Sequence, residues 1–214
     1  MRVPGGLYVV TGEEFSRGRA YPEVIKACIA GGAALIQFRE KLWPAARLVE
    51  IGRELRKITR QAGVLFIVND RVDVALALKA DGVHVGQQDI PAAAVRQMVG
   101  PDMIVGVSAG TTEEALAAER DGASYIGVGP IFPTETKKDA RSPRGLAKLA
   151  EIRRAVHIPI YAIGGIKAHT AAAVILAGAD GAAVVSAVVG AADITGAARA
   201  LAAEISKAKK QGIK

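Results

Sequence analysis

The sequence DGASYIGVGPIFPTETKKD, residues 121–139, holds a helix-to-strand junction, a strand and a polar loop in succession. Tyr125–Val128 is a short apolar run typical of a buried strand, and Gly129 and Pro130 end it. The residues that follow carry hydroxyl and ammonium groups and show no helical period. Parallel α/β proteins, and barrels in particular, place polar chemistry at the carboxyl ends of their strands in this way. The lysines predict an anionic ligand.

Seven further apolar runs alternate with segments of helical period along the rest of the chain. With Tyr125–Val128 they predict eight strands: Gly6–Val10, Leu35–Phe38, Leu65–Val68, Gly82–Val85, Ile104–Val107, Tyr125–Val128, Ile160–Ile163 and Ala182–Val185. Thr111 and Glu114 have the spacing of a helix capping box. Eight strands separated by helices predict an α/β protein with a single (β/α)8 TIM barrel. A doubly wound open sheet is the alternative, because the pattern does not prove closure.

Similar helix-to-strand junctions recur before alternate predicted strands. They are Ala30-Gly31-Gly32-Ala33, Ala80-Asp81-Gly82-Val83, Asp121-Gly122-Ala123 and Ala179-Asp180-Gly181-Ala182. A glycine at such a junction permits the left-handed or closely packed backbone often needed where a helix ends and a strand begins. A spacing of roughly 50 residues between junctions fits eight βα units.

Length, composition and the strand pattern together predict a single barrel domain over residues 1–214, with a short basic C-terminal tail. Half of the 214 residues are apolar, and the net charge of +7 is spread over helix faces and the tail without interleaved aromatic residues, which argues against nucleic-acid binding. We find no signal-peptide pattern and no apolar run near the roughly 20 residues of a membrane span. We therefore expect a cytoplasmic protein without a membrane partner. A homo-oligomer is left open, since barrel helices can also pack against another subunit.

Polar side chains follow the second predicted strand in an alternating pattern. Gln37, Arg39 and Lys41 alternate with Phe38 and Glu40, so an extended backbone sends the first three in one direction. This arrangement favours a clamp for pyrophosphate. A charged strand end that runs into solvent is the alternative.

Two carboxylates follow the next two strands. Asn69-Asp70 comes after the third strand, and Gln87-Gln88-Asp89 comes after the fourth. Mg²⁺ is commonly bound by one or two carboxylates, with substrate phosphates and water completing its shell. Each aspartate alone could instead cap the helix that follows it. Their joint placement opposite the cationic residues favours a metal-pyrophosphate site.

The fifth, seventh and eighth strands end in groups suited to hydrogen bonding. Ser108 lacks the partners of a hydrolase nucleophile, so hydrogen bonding or a turn role is indicated. Gly164-Gly165 and Val185-Ser186 lie where barrels often bind phosphate, although a glycine pair alone indicates only a tight turn. His84 is predicted to be a hydrogen-bonded barrel residue, not a zinc ligand. Cys28 is predicted to be a small buried hydrophobe.

Together these motifs resemble the thiamine phosphate synthase family, also called thiamine-phosphate pyrophosphorylases. The matching segments span nearly the whole chain: Gln37-Phe38-Arg39-Glu40-Lys41, Val68-Asn69-Asp70, His84 to Asp89, Gly106-Val107-Ser108, Gly129-Pro130 to Lys138-Asp139, Ile163-Gly164-Gly165-Ile166 and Val185-Ser186-Ala187. The resemblance implies a transferase that joins 4-amino-5-hydroxymethyl-2-methylpyrimidine diphosphate to 4-methyl-5-(2-phosphoethyl)thiazole, giving thiamine phosphate and pyrophosphate. It also implies Mg²⁺ and a dissociative substitution without a protein nucleophile.

The resemblance further implies a role for each matching residue. The expected catalytic residues are Arg39, Lys41, Ser108 and Lys137. The pyrimidine diphosphate is expected at Gln37, Phe38, Arg39, Glu40, Lys41, Asn69, Ser108 and Lys137. The thiazole phosphate is expected at Thr134, Glu135, Thr136, Gly165, Val185 and Ser186, and Mg²⁺ at Asp70 and Asp89. Gly110 departs from the family pattern, in which a histidine often follows the Ser-Ala pair, but no phosphate or metal group is lost.

Two other functions compete with this one. A thiazole tautomerase, a related barrel without pyrophosphate chemistry, would not need the clamp and both aspartates together. A non-catalytic phosphate-binding barrel would keep only the loops near Gly165 and Ser186. The role of Lys138 also stays open, because Asp139 could pair with it and order the loop.

Overall fold

A closed barrel of eight parallel strands forms the protein in a computed structural model that describes residues 3–134, 136 and 142–212. The strands are β1 (Leu7–Val10), β2 (Ala33–Phe38), β3 (Leu65–Asn69), β4 (Gly82–Val85), β5 (Ile104–Ala109), β6 (Tyr125–Val128), β7 (Ile160–Ile163) and β8 (Gly181–Val184). Each strand pairs with its successor, and β8 pairs with β1. The predicted TIM barrel is confirmed, and the open-sheet alternative is wrong because β8 closes on β1.

Helices surround the barrel and connect its strands. They are α1 (Tyr21–Ala30), α2 (Ala45–Ala62), α3 (Val72–Ala77), α4 (Ala92–Val99), α5 (Thr112–Arg120), α6 (Gly145–Ala155), α7 (Ala168–Leu176), α8 (Ser186–Val189) and α9 (Ile194–Gly212). Thr111 caps α5 as its spacing to Glu114 suggested: the Glu114 backbone N–H donates to Thr111 Oγ1 at 3.1 Å, and the Glu114 carboxylate accepts from the Gly110 backbone N–H. Lys209 and Lys210 of the predicted basic tail lie in the last turn of α9, and Lys214 lies outside the described residues. None of the helices in the described ranges combines the length and apolar character needed to cross a membrane.

The apolar core has two layers. The larger one lies between the strands and the helices and includes buried Cys28, as predicted. The smaller one fills the barrel interior with Tyr8, Tyr125 and Tyr161, whose rings meet edge to face, together with aliphatic residues such as Leu35. Because side chains fill the interior, a ligand site can open only at the strand ends.

A shared anchor explains the recurring junctions. Immediately before β4, β6 and β8, a polar side chain accepts hydrogen bonds from the backbone N–H of the preceding strand and from an arginine of a helix. The sets are Asp81 with Phe66 and Arg56, Ser124 with Val105 and Arg96, and Asp180 with Ile160 and Arg153. Each anchor ties one helix to two neighbouring strands. The junction before β2 has Gly32 at this position and therefore no anchor side chain.

Candidate active site

A cavity of about 1220 Å³ opens at the carboxyl ends of the strands. Pockets for one drug-sized ligand measure roughly 300–1,000 Å³, so this cavity has room for two small substrates. Most of the residues predicted from the sequence line it: Gln37, Arg39, Lys41, Asn69, Asp70, Asp89, Ser108, Thr134, Thr136, Gly165, Val185 and Ser186. Residues from separate strand ends meet here because the barrel closes.

Two predicted substrate contacts, Phe38 and Glu40, do not line the cavity. Phe38 is buried in the outer core and packs against the Tyr21 and Phe66 rings. Glu40 accepts hydrogen bonds from the Glu13 backbone N–H at 2.8 Å and from the Tyr21 hydroxyl. The extended backbone that directs Arg39 into the cavity directs its two neighbours outward. Their side chains lie on the side of the backbone away from the cavity, where their contacts support the clamp residues Gln37, Arg39 and Lys41.

Four residues of the polar loop after β6 have predicted or open roles that the structure does not describe. Glu135, Lys137, Lys138 and Asp139 lie outside the described residues. The roles expected for Glu135 and Lys137 therefore remain predictions from the sequence.

The clamp is fixed to the loop that follows β1. The Arg39 backbone N–H donates to Thr11 Oγ1 at 3.0 Å, and Trp43 Nε1 donates to Glu13 Oε2 at 3.0 Å. The Arg47 guanidinium stacks 3.8 Å from the centroid of the Trp43 ring. These contacts hold the clamp residues at the cavity edge, and Trp43 is part of this support.

Glu40 makes this support sensitive to pH. Burial raises the pKa of the Glu40 carboxyl from 4.5 to about 7, although the Glu13 N–H opposes the shift. In the unfolded chain the Glu40 carboxyl has its usual pKa of 4.5. The stability that the protonated carboxyl contributes to the fold is therefore complete below that pH and is lost as the pH rises through about 7. Glutamine is neutral, like the protonated carboxyl. Glu40→Gln should therefore unfold at the same temperature as the wild type at about pH 5, and at a higher temperature than the wild type at about pH 8. A variant that is less stable than the wild type at the higher pH would contradict this assignment.

The two predicted metal ligands converge at the ends of β3 and β4. Burial and then the Asp89 charge raise the pKa of Asp70 to about 6, while Lys41 opposes the shift. The Asp70 N–H donates to the His84 carbonyl at 2.8 Å, and Asp89 Oδ2 accepts from the Gly86 N–H at 2.7 Å. The helix-capping alternative is wrong, because neither α3 nor α4 has a side-chain cap at its N-terminus.

This pair fits a hard divalent cation. Two carboxylates that repel one another in a partly buried site would be stabilised by Mg²⁺, which prefers oxygen ligands. No group of three or more His, Cys, Asp or Glu side chains in the described part of the chain could hold a metal. A cation at Asp70 and Asp89 would therefore take its remaining ligands from substrate phosphates and water, as Mg²⁺ commonly does.

Hydroxyl groups and glycines form the opposite side of the cavity. Thr136 Oγ1 and Ser186 Oγ are hydrogen-bonded at 3.0 Å. Gly165 has a φ of 66°, and a Cβ there would overlap the Pro133 carbonyl and lie 2.8 Å from Phe132 Cβ. Glycine is thus required because the loop after β7 packs against the loop after β6. The same loop after β6 carries Thr136, which lies beside Ser186.

Several cavity residues were missed as site residues in the sequence. Tyr8, His84, Glu114 and Lys167 also line the cavity. His84 is the hydrogen-bonded barrel residue that the sequence predicted. Lys167 comes two residues after Gly165 in the sequence, which is a usable signal for a cation near the glycine pair. Tyr8 gave no signal, because a tyrosine within an apolar strand is typical of a core residue.

Comparison with known proteins places this geometry in one family. The thiamine monophosphate synthase model matches residues 7–188. Thiamine-phosphate synthases of Moorella thermoacetica and Chloroflexus aurantiacus are each 56% identical to the chain, over 95% and 97% of it and 97% and 95% of their own lengths. The solved thiamine phosphate pyrophosphorylase of Pyrococcus furiosus superimposes with a TM-score of 0.88 at 42% identity, over 95% of this chain and 96% of that one. The chain therefore belongs to the thiamine monophosphate synthase family, a family of transferase enzymes of thiamine biosynthesis.

Proposed function

We propose that the enzyme joins 4-amino-5-hydroxymethyl-2-methylpyrimidine diphosphate to 4-methyl-5-(2-phosphoethyl)thiazole, releasing thiamine phosphate and pyrophosphate. The observation that carries this proposal is the division of one cavity into two unlike sides. Cations and carboxylates, including Arg39 and Asp70, line one side, and hydroxyls and glycines, including Thr136 and Gly165, line the other. Two small phosphorylated substrates are the partners that such a cavity suits.

On the first side, the residues are suited to hold a diphosphate and to stabilise its departure. Arg39 and Lys41 can donate charge-assisted hydrogen bonds to phosphate oxygens, and the Asn69 amide adds a neutral donor. Asp70 and Asp89 would hold Mg²⁺, and a bound Mg²⁺ would supply positive charge against the charge that develops on the leaving group. Preorganised donors of this kind each contribute about 3 kcal/mol of transition-state stabilisation.

The bond changes require no nucleophile from the protein. As the bond from the methylene carbon to the diphosphate oxygen breaks, the electron-rich aminopyrimidine supports a methylene cation, and the thiazole nitrogen then donates its electron pair to that carbon. The protein must align the two rings and exclude water. On the second side, the thiazole phosphate would be received by Thr134, Thr136, Ser186 and the backbone near Gly165 and Val185, together with Glu135. Lys167 also lines the cavity and could add a cation.

One assay separates this function from its alternatives. The protein is incubated with both substrates and Mg²⁺, and pyrophosphate release is measured alongside reactions that lack one substrate. The proposed transferase releases pyrophosphate only when both are present. A thiazole tautomerase would release no pyrophosphate from the complete reaction or from the reactions that lack one substrate. A non-catalytic barrel would bind a substrate without forming product. Either of the latter results would overturn the proposal.

The proposal assigns Lys137 to the departing pyrophosphate. Lys137→Ala should lower kcat by about a hundredfold and change the KM for the thiazole phosphate little, because the contact strengthens as charge develops. Lys138→Ala is the matched control, which should stay within about twofold of the wild-type rate if Lys138 pairs with Asp139. An unchanged kcat with a raised thiazole KM would instead assign Lys137 to the other substrate.

A further inference from the structure

Five polar side chains form a continuous hydrogen-bonded chain, here called the relay, across the barrel beneath the cavity. Gln37 Nε2 donates to the Tyr8 hydroxyl at 2.7 Å, and that hydroxyl bonds the Tyr125 hydroxyl at 2.8 Å. The Tyr125 hydroxyl bonds His84 Nδ1 at 3.0 Å. His84 Nε2 bonds Ser108 Oγ at 2.9 Å. Each member comes from a different strand, so the relay links the clamp to Ser108 through the centre of the barrel.

Neighbouring strands leave space for the centre of the relay. A Cβ at Gly106 would lie 2.5 Å from His84 Nδ1 and would overlap the Tyr125 ring. A Cβ at Gly127 would lie 3.3 Å from His84 Cε1. These two glycines thus allow the imidazole and the phenol to meet. Tyr8 and Tyr125 are almost completely buried, and buried polar groups are costly unless they are paired.

The Gln37 end gives the relay a direction. Burial raises the pKa of both the Tyr8 and Tyr125 phenols well above the usual value, so each keeps its single proton at neutral pH. Tyr8 accepts a hydrogen bond from Gln37, and Tyr125 is the other partner of its hydroxyl among the described residues. Donation from Tyr8 to Tyr125 is therefore the direction in which no buried hydroxyl proton lacks an acceptor. Tyr125 in turn accepts from Tyr8 and donates to His84 Nδ1. Each hydroxyl therefore accepts from the preceding member of the relay and donates to the next.

Because His84 Nδ1 accepts a hydrogen bond from Tyr125, it carries no proton, and this fixes the tautomer of the imidazole. The imidazole is then the neutral tautomer that carries its proton on Nε2. Nε2–H donates to Ser108 Oγ, and the Ser108 hydroxyl proton is left to point into the cavity, which Ser108 lines. The same hydroxyl would otherwise donate to His84 and could only accept from a ligand.

We propose that the relay orients Ser108 as a hydrogen-bond donor toward the departing pyrophosphate, with Tyr125 and His84 as positioning residues. The identity of the anion rests on the proposed function, whereas the tautomer of His84 does not. A neutral serine hydroxyl aimed in advance at a developing anion needs no reorientation during the reaction, which is the condition for efficient electrostatic catalysis.

The tautomer can be measured on the intact protein without substrates. Long-range ¹H–¹⁵N correlation spectra of the histidine side chains, with His84 assigned by comparison with His84→Gln, distinguish a proton on Nε2 from one on Nδ1. We expect the Nε2–H tautomer. A spectrum with the proton on Nδ1 would overturn the direction of the relay, whether or not the enzyme turns over its proposed substrates.

A single hydroxyl deletion then tests the positioning role. Tyr125→Phe should release the tautomer preference and lower kcat about tenfold, with little change in the KM for the thiazole phosphate. Tyr161→Phe is the matched control: its ring packs against Tyr8 and Tyr125, but its hydroxyl donates to the Pro4 carbonyl outside the relay. It should keep the His84 spectrum. If Tyr125→Phe leaves both the spectrum and kcat unchanged, the positioning role is wrong; a wild-type protein without any turnover would count against the proposed function alone.

Discussion

Asp70→Asn or Asp89→Asn is expected to reduce Mg²⁺-dependent turnover by about a hundredfold to a thousandfold while leaving the fold intact. The two carboxylates converge at the cavity edge, and each supplies negative charge that an amide cannot supply. Asparagine keeps the shape of aspartate and tolerates the left-handed backbone of Asp70, whose φ is 58°. Loss of activity can therefore be assigned to the lost charge. The measurement is kcat as a function of Mg²⁺ concentration.

A nearby carboxylate provides the control for this series. Asp73 lies in α3, pairs with Arg71 at the surface and does not line the cavity, so Asp73→Asn should keep wild-type activity. If Asp70 and Asp89 hold one cation, the double variant should be little worse than either single variant, since residues that act as a unit are not additive. Wild-type activity with an unchanged Mg²⁺ dependence in either single variant would refute the metal assignment.

Asp81→Ala is expected to lower the free energy of unfolding by about 3 kcal/mol, which corresponds to a fall of about 10 °C in Tm. The Asp81 carboxylate accepts from both terminal nitrogens of Arg56, at 2.7 and 2.8 Å, and from the Phe66 N–H at 2.8 Å. Both side chains are mostly buried, with 13% and 20% exposure. The substitution therefore leaves a guanidinium and a strand N–H without their partner. Thermal unfolding measures the effect.

The recurring junctions supply graded controls. Asp180 is 43% exposed in its pair with Arg153, so Asp180→Ala should cost less than Asp81→Ala. Asp121 occupies the corresponding sequence motif, but its one ion pair within the described part of the chain is with its exposed neighbour Arg120. Asp121→Ala should therefore change stability by less than about 1 kcal/mol. Equal effects at Asp81 and Asp121 would show that the anchor does not stabilise the barrel.

The fold could be predicted closely because its signals are local. Apolar runs bounded by glycine and proline defined strand limits that differ from those observed by no more than two residues. Closure was not a local property, since it depends on pairing between β8 and β1 at opposite ends of the chain. The anchors could not be predicted from the pattern of apolar runs either. Arg56 and Asp81 are 25 residues apart in sequence, and nothing local marks them as partners.

The site could be predicted where polar residues stand out against apolar strands. Alternation correctly sent Arg39 to the side opposite Phe38, but the resemblance assigned substrate contact to the whole motif, including Glu40. The relay was missed because its tyrosines have the appearance of core residues in the sequence. Their role depends on which atoms meet across the barrel: Tyr125 lies between Tyr8 and His84, and these three residues are far apart in the sequence.

The central claim is that one cavity couples two phosphorylated substrates, and the most direct test is the stoichiometry of a quenched reaction. The protein, Mg²⁺ and both substrates are mixed, and thiamine phosphate and pyrophosphate are quantified in the same sample. We predict that the two products appear in equal amounts and that neither forms when one substrate is omitted. Pyrophosphate released without thiamine phosphate, or no product at all from a folded protein, would contradict the account.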